Sequence, residues 1–279
     1  MQKFSYHTHT TLSDGSDCLD NMLQKAVELG WKQIGISDHM IIHKDIKQAP
    51  TYEKMVSRSG DYVYHDSFEK CLPMFQKNAE YIRKTAKKYP IDVLVGFEVD
   101  YFTYNGWEDE FKNFIKQIDY DYLLTGNHFF FDEKCEVLID IYRYDSLDDI
   151  YKTDSYETYI KRHYQTIRKA VSSKMFNFLA HLDYARRTKQ SQIYPCRDEQ
   201  LKIVDCLAEN NVAAEVSTKG LRKNNVLYPD DFVLKNMIQS GVELVISDDA
   251  HNVDELGYCF DETSIKLEQM GCKKHFCLK

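Results

Sequence analysis

Six of the ten histidines in this 279-residue chain close or directly follow a short apolar run: His7, His9, His39, His128, His181 and His251. Three carboxylates keep them company. Glu98 ends another apolar run, Asp249 stands two residues before His251, and Asp14 sits in the turn Ser13-Asp14-Gly15. One histidine at a strand end would read as an ordinary hydrogen-bonded side chain. Six at the same end of one sheet read as ligands for divalent cations. In His7-Thr8-His9 both imidazoles fall on one side of a strand, so both can reach one ion. Asp249-Ala250-His251 repeats that spacing, with Asp248 as the rival carboxylate. Zn²⁺ takes about four ligands, so nine groups are too many for one ion. Three ions sharing Glu98 would use them all. Nitrogen and oxygen donors without sulfur suit Zn²⁺, Mn²⁺ or Fe²⁺ and argue against Ca²⁺ or Cu⁺. No serine or cysteine nucleophile motif accompanies the set. The chemistry expected is therefore hydrolysis by water that metal coordination has made acidic.

Seven runs must position these groups: 4–9, 33–39, 92–98, 122–128, 176–181, 212–217 (which carries Glu215) and 242–251. All are short and nearly continuously apolar, as strands buried on both faces are. Helical patterns separate them at 17–29, 68–88, 156–172, 198–209 and 230–240, with Asp17 able to cap the first and Gly30 to end it. Strand alternating with helix implies right-handed crossovers and a parallel sheet. Seven such units predict one domain over 1–279, a closed or nearly closed α/β barrel with its site at the C-terminal strand ends. Residues 43–66 and 129–155 fit the pattern poorly. They read as long loops over the mouth, the second with room for a hairpin, and a substrate lid is the expected use. The tail 252–279 carries a last helix at 262–270, and then Cys272, His275 and Cys277 as a surface end.

The chain is 43% hydrophobic and 29% charged, with a net charge of −8. That balance disfavours a nucleic-acid or anionic-membrane partner and favours a small substrate beside metal ions. No apolar run approaches the ~20 residues that span a bilayer. Eight cysteines without a Cys-x-x-Cys pair, and no secretory leader at Met1, predict reduced thiols in the cytoplasm.

The residues resemble the PHP (polymerase and histidinol phosphatase) family of metallophosphoesterases. The match runs through His7-Thr8-His9 with Asp14-Gly15, Ser37-Asp38-His39, Glu98, His128, Ala180-His181-Leu182-Asp183 and Asp248-Asp249-Ala250-His251, spanning residues 4 to 253. Glu215-Val216-Ser217-Thr218-Lys219-Gly220-Leu221-Arg222 looks most like the monofunctional histidinol-phosphatases of that family. The resemblance implies a distorted seven-stranded (β/α)7 TIM-like barrel with a trinuclear site. It groups His7, His9, Glu98 and Asp249 on one ion, Glu98, His128 and His181 on a second, and Asp14, His39 and His251 on a third. Asp38 would orient a ligand or hold the loop. The expected reaction is hydrolysis of L-histidinol phosphate to L-histidinol and phosphate, a step of histidine biosynthesis. Its nucleophile would be a metal-bridging hydroxide beside Glu98. Arg186 and Arg222, on loops leaving the fifth and sixth runs, are the expected phosphate anchors, since a phosphate dianion suits forked donors. The alternatives are a family phosphoesterase acting on another small phosphate or nucleotide, a module acting on DNA ends, or a non-catalytic metal-binding protein.

Overall fold

A computed structural model of the chain describes residues 2–134, 136–141 and 154–278. At its centre lies an eight-stranded sheet, parallel throughout: β1 (Gln33–Ile36), β2 (His39–Ile42), β3 (Tyr64–His65), β4 (Asp92–Val99), β5 (Tyr122–Thr125), β8 (Phe178–Leu179), β9 (Ala213–Ser217) and β10 (Leu244–Ser247). The order is β10-β9-β8-β5-β4-β2-β3. One edge of β4 takes both β1, over Asp92–Val95, and β2, over Glu98 and Val99. β1 and β2 therefore form one stave broken at Ser37-Asp38.

Residues 4–9, expected as a strand, are irregular, with a bend at Tyr6, and are joined to β10's continuation by a single parallel bridge between Thr8 and Ala250. Their backbone still bonds on both sides. Gly35 and Ser37 donate to the Ser5 and Thr8 carbonyls (2.8 and 2.9 Å), and His9 donates to Ala250 (2.8 Å). The segment thus lies between the two ends of the sheet.

Helices pack outside: α1 (Leu19–Glu28), α2 (Tyr52–Ser59), α3 (Phe68–Ala86), α4 (Trp107–Ile115), α5 (Tyr156–Ser172), α6 (Lys189–Ile193), α7 (Arg197–Asn210), α8 (Lys219–Asn224), α9 (Asp231–Gln239) and α10 (Phe260–Gln269). α5 occupies the expected span, and Gly30, at φ 68°, ends the α1 region as anticipated. Asp17 does not cap α1. Its carboxylate accepts instead from the Val253 amide (3.0 Å) and Asn21 (2.9 Å), and Cys18 stands at the cap.

Strand alternation divides the core in two. On β4, Val93, Val95 and Phe97 face the helices in the outer cluster, while Leu94 joins Tyr6, Tyr122, Leu124, Phe178, Ala213 and Val245 inside. Glu98 follows Leu94 by four residues and so shares the inner face. Burying one such large apolar side chain stabilises by about 1.5–3 kcal/mol. Tyr122 fills this interior against Gly35 and Gly96, where an added Cβ would collide with its ring.

The segment 43–66 is more ordered than the expected loop. It holds a 3₁₀ turn at Ile46–Gln48, then α2, then β3, which pairs with β2. Its sequence signal is weak because α2 buries only Met55. The second excursion opens with the hairpin foreseen there, β6 (Phe129–Asp132) antiparallel to β7 (Val137–Asp140). Residues 142–153 of that expected loop lie outside the described residues.

The His43 amide donates to His65 (3.0 Å), tying the segment to the sheet, and the His43 ring packs among Phe102, Tyr104 and Phe131. Burial pulls His43 down to about 3 and His65 to about 4. Both stay neutral in the folded chain while the unfolded chain takes up protons below about 6.5. Their contribution to stability is complete above that pH and declines as pH falls toward those folded values. For His43 the slope approaches about 1.4 kcal/mol per pH unit. Urea titrations at pH 7.5, 6 and 4.5 are expected to give falling midpoints, with a shallower fall in His43→Phe. Equal slopes in the two proteins would contradict this.

Candidate metal centre

The nine singled-out side chains converge at the C-terminal ends of the strands. Glu98 is their hub, and its two oxygens face different neighbours. Oε1 lies 3.0 Å from His181 Nε2 and 3.7 Å from His128 Nε2. Oε2 lies 3.2 Å from His7 Nε2, 3.4 Å from His9 Nε2 and 3.1 Å from His39 Nδ1. Asp249 Oδ1 lies 3.3 Å from His9 Nε2 and 3.5 Å from His251 Nδ1. Asp14 Oδ1 lies 3.4 Å from both His39 Nε2 and His251 Nε2.

Local backbone explains the convergence. Register sets His39 of β2 directly beside Glu98 of β4. His181 (φ 22°) and Asp249 (φ 47°) adopt left-handed backbone, which redirects each chain just past its strand. Such conformations are costly for residues with a Cβ and persist only where the surroundings enforce them. Gly126 leaves the Glu98 carboxylate its space, since a Cβ there would strike Oε1. The turn carrying Asp14 is fastened by Asp38, which accepts from the Thr10 amide (2.7 Å), the Thr10 hydroxyl (2.9 Å) and the Ser13 hydroxyl (2.7 Å). Burial raises Asp38 to about 6 despite those donors.

Several buried ligand-type atoms have no hydrogen-bond partner: His7 Nε2, both nitrogens of His9, His39 Nδ1, Asp14 Oδ1 and Asp249 Oδ1. Buried polar atoms are almost always paired. Unpaired lone pairs converging on shared points are what a cation would satisfy. Four sets bring their donor atoms within 4.8 Å of one another: His9, Asp14, His39 and His251; His7, His181 and Asp249; His7, His9 and Glu98; and His39, Glu98 and His128. The residue types and geometry therefore fit divalent ions. Electrostatics reflect the crowding. Burial alone would raise Glu98, yet His7, His128 and His39 hold it well below the carboxylate range. Burial, and then the charges of His251 and His39, push His9 down to about 3.

Asp248, the rival carboxylate, points elsewhere, accepting from the Ser5 hydroxyl (2.8 Å) and the Gly257 amide (2.7 Å). The two expected phosphate anchors are also otherwise engaged. Arg186 pairs with buried Asp183 (3.0 Å), donates to the Leu227 carbonyl (2.5 Å), and lines a separate cleft with Asp230 and Phe232. Arg222 donates to the Asp248 and Asp249 carbonyls (2.8 and 3.3 Å) and pairs with Glu255 (3.2 Å), which fastens the last ligand loop. The cavity beside the cluster, about 240 Å³, is lined instead by Arg187, Lys219, Lys223, Lys54 and Arg58, with Tyr184 and Tyr64. Lys219 Nζ lies 2.6 Å from Asp249 Oδ2 and 5.6 Å from the centre of the Tyr184 ring. Sequence reasoning passed over Lys219, although it sits in a stretch already singled out. It also preferred Arg186 to its neighbour Arg187. A 3₁₀ turn at Tyr184–Arg187 sends the two side chains to different clefts.

Arg186→Ala is expected to destabilise rather than inactivate. It strands the Asp183 carboxylate in the interior, a loss on the order of 3 kcal/mol. Lys219→Met also removes the partner of a buried carboxylate, Asp249 (2.6 Å), but is expected to lose about 10²-fold in kcat/KM, more than any loss of stability accounts for. Melting curves beside initial rates separate the two outcomes. A large kcat/KM loss in Arg186→Ala at unchanged stability would contradict this assignment.

Comparison with known proteins places the chain in a class. The PHP domain profile matches residues 5–219, and the chain belongs to that family. It is 26% identical over 267 residues to a Thermotoga maritima protein named "Probable histidinol-phosphatase", covering 95% of this chain and 91% of that one. It is 21% identical over 277 residues to the histidinol-phosphatase of Bacillus subtilis, covering 94% and 98%. Among solved structures it resembles the histidinol phosphate phosphatase of Lactococcus lactis complexed with Zn, L-histidinol and phosphate. That match has a TM-score of 0.70 at 17% identity, over 98% of this chain and 95% of the other.

Proposed function

We propose that this protein is a metal-dependent phosphomonoesterase that hydrolyses L-histidinol phosphate to L-histidinol and phosphate, a step of histidine biosynthesis. The observation that carries the phosphatase reading is the division of Glu98, with two histidines at one oxygen and three at the other. A carboxylate so placed suits a bridge between ions. Near full-length similarity to proteins named histidinol-phosphatase supports the choice of substrate.

The finer reading has three divalent ions, Zn²⁺, Mn²⁺ or Fe²⁺. His7, His9, Glu98 and Asp249 hold one, Glu98, His128 and His181 a second, and Asp14, His39 and His251 the third. Such ions supply an acidic water and withdraw charge from phosphoryl oxygens when bound. The chain's own groups do the rest. Lys219 and Arg187 bring positive charge to the cavity side of the cluster, where a phosphate dianion would sit. Tyr184, carrying Arg187 against its ring and hydroxyl (2.8 Å), sets the direction of that guanidinium. Tyr64, Phe129 and Met55 offer apolar wall to the organic part of the substrate.

On this reading the whole chain is one domain. Residues 3–9 close the sheet between β1 and the continuation of β10 into a seven-staved distorted (β/α)7 barrel, counting β1 and β2 as one stave and leaving β3 outside. The excursion at 43–66 and the β6–β7 hairpin overhang the mouth, with Met55, Tyr64, Phe129 and Asp140 lining the cavity. Among the described residues no helix is long and apolar enough to cross a membrane, and seven cysteines are unpaired. Free thiols fit a reducing cytoplasm. The partner is a small phosphate ester rather than a nucleic acid.

Initial rates on L-histidinol phosphate, measured beside a panel of nucleotides and sugar phosphates, test the substrate. We expect kcat/KM on L-histidinol phosphate to exceed every other by 100-fold or more, on the order of what a site built around specific polar contacts achieves. A preference for a nucleotide or sugar phosphate would overturn the substrate and keep the chemistry.

A further inference from the structure

Glu215, on β9, lies fully buried behind the cluster and accepts from three donors on three different segments. One oxygen takes His7 Nδ1 (2.7 Å) and the Ser247 hydroxyl, and the other takes the His181 amide (2.6 Å). Two of those donors belong to residues whose side chains reach Glu98. We infer that Glu215 is a positioning residue for the metal centre: it holds His7 as the Nδ1–H tautomer and pins the left-handed backbone of His181. The inference rests on the metal reading proposed above.

The reasoning is one of donors and acceptors. A carboxylate offers only acceptors. Facing Glu215, His7 must place its proton on Nδ1, which leaves the Nε2 lone pair directed toward Glu98 (3.2 Å) and Asp249 (3.7 Å). A histidine that ligates a metal through one nitrogen commonly donates the other to such a group. Asp100 shows a parallel arrangement at His128, meeting Nδ1 at 2.9 Å and the His128 and Phe129 amides at 2.8 and 2.9 Å. Glu215 differs in spanning two ligand residues from separate parts of the chain. Glutamine of the same shape cannot replace it. With its oxygen toward His7, its amide group meets the His181 N–H, donor against donor. With its amide group toward His7, the ring must carry its proton on Nε2, where the lone pair is needed.

The test is Zn²⁺ competition against a chromophoric chelator, using wild type and Glu215→Gln prepared metal-free, with a thermal melt of each metal-free protein. We expect Glu215→Gln to bind Zn²⁺ about 10–100-fold more weakly than wild type at a temperature where both metal-free proteins are folded, with a somewhat lower metal-free melting temperature from the donor facing the His181 N–H. Unchanged affinity, or a lower metal-free melting temperature without weaker Zn²⁺ binding, would overturn the inference and leave the metal reading standing. Wild type that takes up no Zn²⁺ would overturn both. If the variant does not fold, imidazole ¹⁵N spectra of Zn²⁺-loaded wild type decide. A protonated, hydrogen-bonded His7 Nδ1 supports the inference, and an unprotonated Nδ1 overturns it.

Discussion

Replacing Glu98 by glutamine is expected to remove at least about 10³-fold of kcat and to lower the metal content of the purified protein. The size of the effect follows from position. Among the described residues, Glu98 is the one carboxylate within 4 Å of His7, His9, His39, His128 and His181 together. Glutamine keeps the volume, so the fold around Gly126 is preserved. It turns one of the two oxygens into a donor group, and whichever side receives it loses a ligand atom. Metal ions contribute several kcal/mol to transition-state stabilisation in such sites, and each 1.36 kcal/mol is tenfold in rate. Metal analysis and steady-state kinetics on one preparation check the prediction. Full metal content with near-normal kcat would refute the bridging role.

Chelation should act on activity and stability together. Stripped of metal, the cluster gathers six imidazoles and three carboxylates with several buried atoms unpaired. Ions that bind the folded chain alone stabilise it by about 4 kcal/mol at a thousandfold excess over Kd. For a domain of this size that corresponds to roughly 10 °C in Tm. We therefore expect EDTA treatment followed by metal-free dialysis to abolish turnover and to lower Tm by about that amount. Added Zn²⁺, Mn²⁺ or Fe²⁺ should restore both, with Tm rising as the metal concentration rises. Stripped protein that keeps its phosphatase activity would sink the metal account.

Much of the site was legible because strand burial and ligand chemistry leave separable marks. An apolar run ending in His or Glu is visible residue by residue, and the ends of parallel strands meet in space. Helix α5 was legible for a similar reason, since seventeen residues give the helical period room to repeat. What escaped were features set by long-range geometry or by short elements. Helix α4, which buries Trp107, Phe111, Phe114 and Ile115 at helical spacing, also escaped, although α9, likewise nine residues long, was expected. Residues 4–9 carry strand-like residues but bond irregularly, because their neighbours are the broken stave at Ser37-Asp38 and the turn at Asp249-Ala250. Asp100 and Glu215 could not be paired with His128 and His7 from spacing, for each pair lies 28 or 208 residues apart. Arg186 and Arg187 are adjacent in sequence, so only the local turn decides which one faces the cluster.

The most direct test of the central claim is anomalous diffraction at the absorption edge of the metal that co-purifies with the protein. The account predicts density at three positions among His7, His9, Asp14, His39, Glu98, His128, His181, Asp249 and His251. Each position should lie about 2.0–2.2 Å from its ligand atoms, with Glu98 shared between two of them. A crystal grown without chelator that shows no anomalous density in this cluster, or places it away from Glu98, would contradict it.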